Sequence, residues 1–69
     1  MEKYTVKQAR MLLGISIREM AKKLGMSQNT YMNKENGLSR FYYDEALKFS
    51  SIVNIPADNI FFGKSVPQN

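Results

Sequence analysis

Apolar side chains recur every three or four residues along most of this chain, which is the spacing of amphipathic helices. The first such run is Val6, Ala9, Leu12 and Leu13. A threonine–glutamine pair with the form of a capping box precedes it, and Gly14 is a typical stop after it. The pattern therefore predicts a first helix that ends near Gly14.

Two further helices follow in quick succession. Ser16 has the position of a cap before an apolar face that ends at Gly25, and this face consists of Ile17, Met20, Ala21 and Leu24. Ser27 then precedes a third helix, Gln28–Glu35, whose main core candidate is Tyr31. Since a helix this polar has little intrinsic tendency to form, it needs either packing at Tyr31 or a function for its outer face.

The C-terminal half predicts a fourth helix from about Tyr43 to Val53 and a short last helix over Ala57–Phe62, separated by the break at Pro56. No stretch alternates as a strand does, so we expect an all-α domain over residues 1–63, with residues 64–69 as a flexible tail. The expected core consists of Val6, Leu13, Met20, Ala21, Leu24, Tyr31, Leu47, Phe49 and Ile60.

Length and composition restrict the possible functions. The 69 residues provide at most one small core, and they include neither cysteine nor histidine. Disulfides, thiolate metal sites and many common catalytic arrangements are thereby excluded, and we expect no cofactor, no metal and no enzymatic activity. No apolar run approaches the roughly 20 residues of a membrane span, and the N-terminus does not open a secretory signal. We therefore expect a cytoplasmic protein.

The charge is unevenly distributed. The net charge is +4, and residues 1–40 carry eight lysines and arginines against three glutamates. A basic N-terminal part suits a polyanion such as nucleic acid, because lysine and arginine replace the counterions condensed on phosphate. Ordinary solubility charge explains the same numbers equally well, so charge alone leaves both interpretations open.

The second and third helices together have the pattern of a helix-turn-helix, in which two helices cross at about 90–120° through a tight turn. Ala21 is small where the helices cross, Gly25 permits a positive φ in the turn, and Tyr31 anchors the second helix from beneath. The outward face of that helix then carries Gln28, Asn29, Met32 and Asn33. Asparagine and glutamine can bond adenine in the major groove, and methionine can touch a thymine methyl. The alternative is an ordinary solvated face, although such faces usually carry glutamate and lysine.

Most of the chain, residues 5–62, resembles the Cro/repressor type of XRE-like helix-turn-helix domain found in lambdoid phages and many bacterial regulators. The resemblance rests on residues 15–27, on Thr30-Tyr31 and Glu35-Asn36-Gly37, and on residues 54–61 near the C-terminus. It implies a compact, lambda-repressor-like domain of four to five helices. It also implies that Gln28, Asn29 and Asn33 read bases.

The resemblance implies further roles by position. Arg10 and Glu35 match an ion pair that ties the first helix to the recognition helix, and this pair is either purely structural or leaves Arg10 near the DNA backbone. The expected phosphate contacts are Ser16, Arg18, Ser27, Thr30, Asn36, Gly37, Ser39 and Arg40.

The chain also departs from the family pattern. Ile17 replaces a glutamine that commonly touches phosphate, and Ser16 or the helix N-terminus is expected to substitute for it. Lys34 replaces an apolar residue, so it either lays its stem on the core with its charge in water or reaches a phosphate. The loop after Gly37 offers Arg40 as its one obvious phosphate contact, and we expect at least one of its three aromatic residues, 41–43, to be buried.

Two functions fit these residues. The first is a Cro/repressor-like regulator that binds a palindromic DNA operator as a homodimer, with a C-terminal dimer surface formed by Pro56, Ala57, Phe61 and Phe62. One of the two phenylalanines turns inward, and the other is the exposed anchor. The alternative is a small protein-interaction module of the same fold, an antirepressor or antitoxin, which an exposed Phe62 and the aromatic loop favour.

Overall fold

The computed structural model of this protein describes residues 3–62. Within this range, four helices form one all-α helix-turn-helix domain, with bounds α1 (Val6–Leu12), α2 (Ile17–Leu24), α3 (Gln28–Glu35) and α4 (Tyr43–Val53). A single 3-10 turn over Ala57–Asn59 follows α4. The predicted bounds of α2, α3 and α4 are confirmed. The predicted tail, residues 64–69, lies outside the described residues. No helix of the described part is both long and apolar enough to cross a membrane.

Side-chain caps explain where the first three helices begin. The hydroxyl of Thr5 accepts the backbone N–H of Gln8 at 3.0 Å, and the Gln8 side chain accepts the N–H of Thr5 at 2.9 Å. Ser16 and Ser27 cap α2 and α3 by accepting the N–H three residues on, at 3.0 and 3.1 Å. Because each cap satisfies a donor that the first helical turn leaves free, the chain starts a helix at these positions.

The core is centred on aromatic side chains from α3, the loop after it, α4 and the C-terminal end. The ring centroid of Phe41 lies 5.1 Å from that of Phe62, 5.9 Å from that of Phe49 and 6.5 Å from that of Tyr31. These tilted and edge-on contacts are the favoured geometry for aromatic pairs. The loop after α3 and the C-terminal end are therefore fastened to the helices through Phe41 and Phe62.

The C-terminal end differs from the prediction. Instead of a helix over Ala57–Phe62, the chain makes the 3-10 turn and then strand β2 (Ile60–Phe61), which pairs in parallel with β1 (Tyr4–Thr5). The expectation that paired strands are absent is therefore wrong. The physical reason is that β2 pairs with a strand more than fifty residues away along the chain. Local periodicity does not reveal a partner at that distance.

The prediction that Leu13 and Leu47 belong to the core is also wrong, since Leu13 is 49% exposed and Leu47 is 46% exposed. Leu47 lies beside the inward positions of α4, which are Ala46, Phe49 and Val53, and the buried face is narrower than predicted. Leu13 is the residue after the last turn of α1, whose inward face is Val6, Ala9 and Arg10. Leu13 lies beyond this face and is exposed together with Met11 and Leu12.

Candidate nucleic-acid interface

A tight turn joins α2 to α3. Gly25 has a φ of 73°, in the left-handed region that favours glycine. Its N–H donates to the carbonyl of Lys22 at 3.1 Å, and the N–H of Met26 donates to that of Ala21 at 3.0 Å. These bonds close the end of α2, and the cap at Ser27 starts α3 directly afterwards. Ala21, the small residue predicted at the crossing of the two helices, is buried.

The inner side of α3 is fixed by Tyr31, which is fully buried. Its hydroxyl donates to Oε2 of Glu35 at 2.7 Å. Burial, followed by this hydrogen bond to the carboxylate, raises the pKa of Tyr31 above its usual range. A neutral, hydrogen-bonded phenol therefore anchors the helix from beneath.

Glu35 also receives Arg10 from α1. Arg10 Nε donates to Glu35 Oε2 at 2.7 Å, Nη2 donates to Oε1 at 3.4 Å, and Nη1 donates to the carbonyl of Ile15 at 2.8 Å. The hydrogen bond to Glu35 is the main cause that raises the pKa of Arg10. Arg10 is 7% exposed, so its guanidinium joins α1 to α3 inside the protein. This geometry favours the structural role over a DNA contact.

The opposite side of α3 presents the predicted reading residues. Gln28 and Asn29 are exposed at the start of the helix, Met32 is 37% exposed, and Asn33 is half-buried one turn on. In a helix, positions three and four apart lie on one face. The fold thus brings three amides and a thioether together on one accessible surface.

The predicted phosphate contacts lie at or near the ends of α2 and α3 and in the loop after α3. Ser16 and Ser27 are at the N-termini of α2 and α3, where backbone N–H groups attract anions. Ser27 Oγ also donates to the hydroxyl of Thr30 at 2.8 Å, so this pair is already hydrogen-bonded. Of the remaining predicted phosphate contacts, Gly37 is half-buried with a φ of 82°. The exposed ones are Arg18, Thr30, Asn36, Ser39 and Arg40.

Lys34 takes neither of its two predicted positions. It is 6% exposed, and its Nζ donates to the carbonyl of Arg40 at 2.9 Å and lies 3.1 Å from Glu45 Oε1. The charge is therefore neither in water nor free to reach a phosphate. A buried ammonium is costly without partners, and the loop carbonyl and the α4 carboxylate provide them.

Sequence comparison with known families decides the identity of this fold. A family model described as a helix-turn-helix matches residues 6–60. The chain belongs to the XRE-like, Cro/repressor-type helix-turn-helix family. Searches of curated proteins and of solved structures return no significant match.

Members of the XRE-like family are DNA-binding regulators and are not typically enzymes. The chain is accordingly a helix-turn-helix regulator of transcription that binds double-stranded DNA. In this XRE-like domain, α3 is the second helix of the motif, and its exposed side chains include the amides of Gln28 and Asn29.

The expectation that Phe62 is exposed is wrong for this XRE-like domain. Phe62 is 7% exposed and packs on Phe41 and Phe49, whereas Phe61 is 58% exposed. Strand β2 explains the difference, because successive side chains of extended backbone point to opposite sides. Of the other predicted dimer residues, Pro56 is exposed and Ala57 is half-buried.

Sequence reasoning missed the contact between Lys34 and Glu45. Glu45 also accepts the backbone N–H of Tyr42 at 3.0 Å, as an acid at the third position of a helix often does. The available signal was a lysine at a position where the family prefers an apolar residue, together with an acid in the first turn of the next helix. The loop between them gave no means of predicting that they meet.

Proposed function

We propose that this regulator is Cro/repressor-like and that it binds a palindromic operator as a homodimer, with α3 in the major groove. The observation that carries the proposal is the two-sided character of α3. Its inner side is fixed by the buried Tyr31, while its outer side exposes amides of Gln28 and Asn29. A rigid helix with an accessible amide face suits base readout, since each amide both donates and accepts.

Groups suited to bind phosphate lie at both ends of α3 and support the same docking. The N-termini of α2 and α3 offer backbone N–H groups and dipoles of the sign that phosphate favours. Arg40, in the loop beyond α3, offers an exposed guanidinium. The concentration of basic residues in positions 1–40 adds the non-specific attraction that brings such a domain to DNA.

Dimensions favour a dimer with a small interface. The domain spans 29 × 25 × 17 Å, while successive half-sites on one face of DNA lie about 34 Å apart. Two copies thus fit side by side with little contact between them. The exposed ring of Phe61, with Pro56 beside the 3-10 turn, is a suitable anchor for such an interface.

The proposal is tested by gel-shift titration against the DNA that flanks the chain's own gene, over a salt series, followed by footprinting. We expect a complex that weakens steeply with salt and a footprint of two half-sites with two-fold symmetry. Protection of one half-site with one protein per duplex would exclude the dimer. Equal affinity for this DNA and for a shuffled duplex would exclude an operator in that DNA.

The alternative is an interaction module that acts on a protein partner. Two aromatic side chains favour it, since Tyr42 is 57% exposed and Tyr43 is 61% exposed at the start of α4. Contiguous exposed apolar surface often marks a protein interface. Absence of salt-dependent binding to any duplex in the titration above would favour this alternative.

A further inference from the structure

The ammonium of Lys34 lies at the junction of three segments. The residue belongs to the last turn of α3, its hydrogen bond goes to the loop carbonyl of Arg40, and its ion pair goes to Glu45 in the first turn of α4. The Nζ also lies 4.7 Å from the centre of the Tyr42 ring, within the range of a cation–π contact. Glu45 in turn holds the N–H of Tyr42 at 3.0 Å.

Hydrogen bonds hold the backbone of the loop on both sides of the Arg40 side chain, and those on its C-terminal side involve Lys34 and Glu45. The carbonyl of Arg40 and the N–H of Tyr42 are both bonded, and Phe41 between them is fully buried. At the other end of the loop, the N–H groups of Leu38 and Ser39 donate to the carbonyl of Asn33 at 2.8 and 3.2 Å. The side chain of Arg40 remains exposed.

We propose that Lys34 is a positioning residue for DNA binding, which holds the 38–42 loop so that Arg40 meets a phosphate in register with α3. This inference rests on the proposed docking of α3. Lys34 does not itself touch DNA, because it is 6% exposed and its charge is already paired. It acts through the loop: a loop that is ordered before binding loses less conformational entropy when the complex forms.

Packing alone does not account for a lysine here. A methionine has a similar length and would fill the same space without the cost of burying a charge. What methionine lacks is the set of bonds to the loop and to Glu45. The lysine therefore contributes geometry that an apolar residue does not.

The test is the energetic coupling between Lys34 and Arg40 in DNA affinity. Lys34→Met, Arg40→Ala and the double variant are titrated with the same duplex, and Lys48→Met provides the matched control, since Lys48 is an exposed lysine on α4. We expect Lys34→Met to weaken binding about tenfold, and Arg40→Ala to weaken it less in the Lys34→Met background than in the wild type. Lys48→Met should change affinity far less.

A second pair of variants separates positioning from charge. Glu45→Ala and Asp44→Ala each remove one negative charge from the first turn of α4, so electrostatics alone predicts slightly tighter DNA binding for both. Positioning predicts that Glu45→Ala binds more weakly than Asp44→Ala, because only Glu45 holds Lys34 and the Tyr42 amide. Faster hydrogen exchange at the Tyr42 amide in Lys34→Met shows the loosened loop without DNA.

Different failures remain distinguishable. If the wild type does not bind any duplex, the proposed function fails, whatever the exchange data show. If the wild type binds but Arg40→Ala costs the same with and without Lys34, positioning by Lys34 is overturned while DNA binding stands. A salt slope that drops by about one when Lys34→Met is made in the Arg40→Ala background would show a direct phosphate contact by Lys34 and also overturn the inference.

Discussion

At the scale of single residues, Glu35 joins α1 to the second helix of the helix-turn-helix. Its two carboxylate oxygens accept from Arg10 of α1 and from Tyr31 of α3. In the ion pair, the side chains of Arg10 and Glu35 are 9% and 4% exposed. Such a pair adds little net stability compared with apolar residues of the same shape, but breaking it leaves a buried charge without its partner. Stability is thus sensitive to changes in one member alone.

Glu35→Gln is expected to lower the free energy of unfolding by about 3 kcal/mol, because the guanidinium of Arg10 stays buried without its counter-charge. The measurement is urea denaturation, followed by circular dichroism. Glu19→Gln, the same change at an exposed acid of α2, should stay within about 0.5 kcal/mol of the wild type. Equal losses in both variants would contradict the role assigned to the pair.

The buried phenol of Tyr31 should make the domain less stable at high pH. Its pKa is raised in the folded protein by burial and by the bond to Glu35, so above pH about 10 the unfolded chain releases a proton that the folded chain keeps. Stability from this residue is therefore complete below pH 10 and falls above it, by up to about 1.4 kcal/mol per pH unit. Denaturation between pH 8 and 11 should show a steeper decline for the wild type than for Tyr31→Phe.

Replacement of Asn33 should reduce the discrimination between base pairs. If α3 reads bases, Asn33→Ala should reduce the preference for operator over random DNA by about 1–3 kcal/mol at particular positions. Titrations with single-base operator variants measure the effect. Arg40→Ala should instead weaken operator and random DNA alike. An unchanged ratio of the two affinities in Asn33→Ala would exclude this residue from the reading face.

At the scale of elements, local sequence signals explain the helices, and their absence explains the errors. The serine caps and Gly25 define the ends of α2 and α3 within a few residues, and these bounds agree with prediction. The amide face of α3 was predictable for the same reason, since it follows once Tyr31 turns inward. Strand β2 was not predictable, because Pro56 and an acid after it also suit a helix start, and the strand partner is at the other end of the chain.

A side chain at Gly25, in the turn between α2 and α3, should lower the stability of the domain only through the backbone conformation that it would have to adopt. A Cβ built on Gly25 meets no heavy atom within 4 Å, while its φ of 73° is one that L-residues avoid. Gly25→Ala should therefore destabilise the domain by about 1–2 kcal/mol, and Gly25→Asn by less, since asparagine tolerates this region. Thermal unfolding measures both. Equal stability of the two variants would mean that the turn relaxes to another conformation.

At the scale of the whole molecule, the two adjacent phenylalanines have opposite surroundings. Phe62 closes the aromatic core, whereas Phe61 is 58% exposed. A residue-by-residue helical pattern does not separate them, because the strand decides which one turns inward. Substitutions at the two positions therefore separate an effect on folding from an effect on association between copies.

Phe62→Ala should lower the free energy of unfolding by about 3–5 kcal/mol, as expected for a buried aromatic residue. Phe61→Asp should leave unfolding nearly unchanged and weaken binding to a full palindromic site more than to a half-site. Chemical denaturation and gel shifts on the two DNAs measure these effects. Equal losses on full and half-sites in Phe61→Asp would remove Phe61 from the dimer interface.

The parallel pairing of β1 with β2 has a mechanical consequence. The register joins Tyr4 to Ile60 and Thr5 to Phe61, so the two strands run in the same direction from opposite ends of the described chain. A force that pulls residue 3 away from residue 62 makes the strands slide past one another, and the hydrogen bonds between them share the load rather than opening one after another. Tension applied through the two ends thus meets a shear contact first, before it reaches the helices.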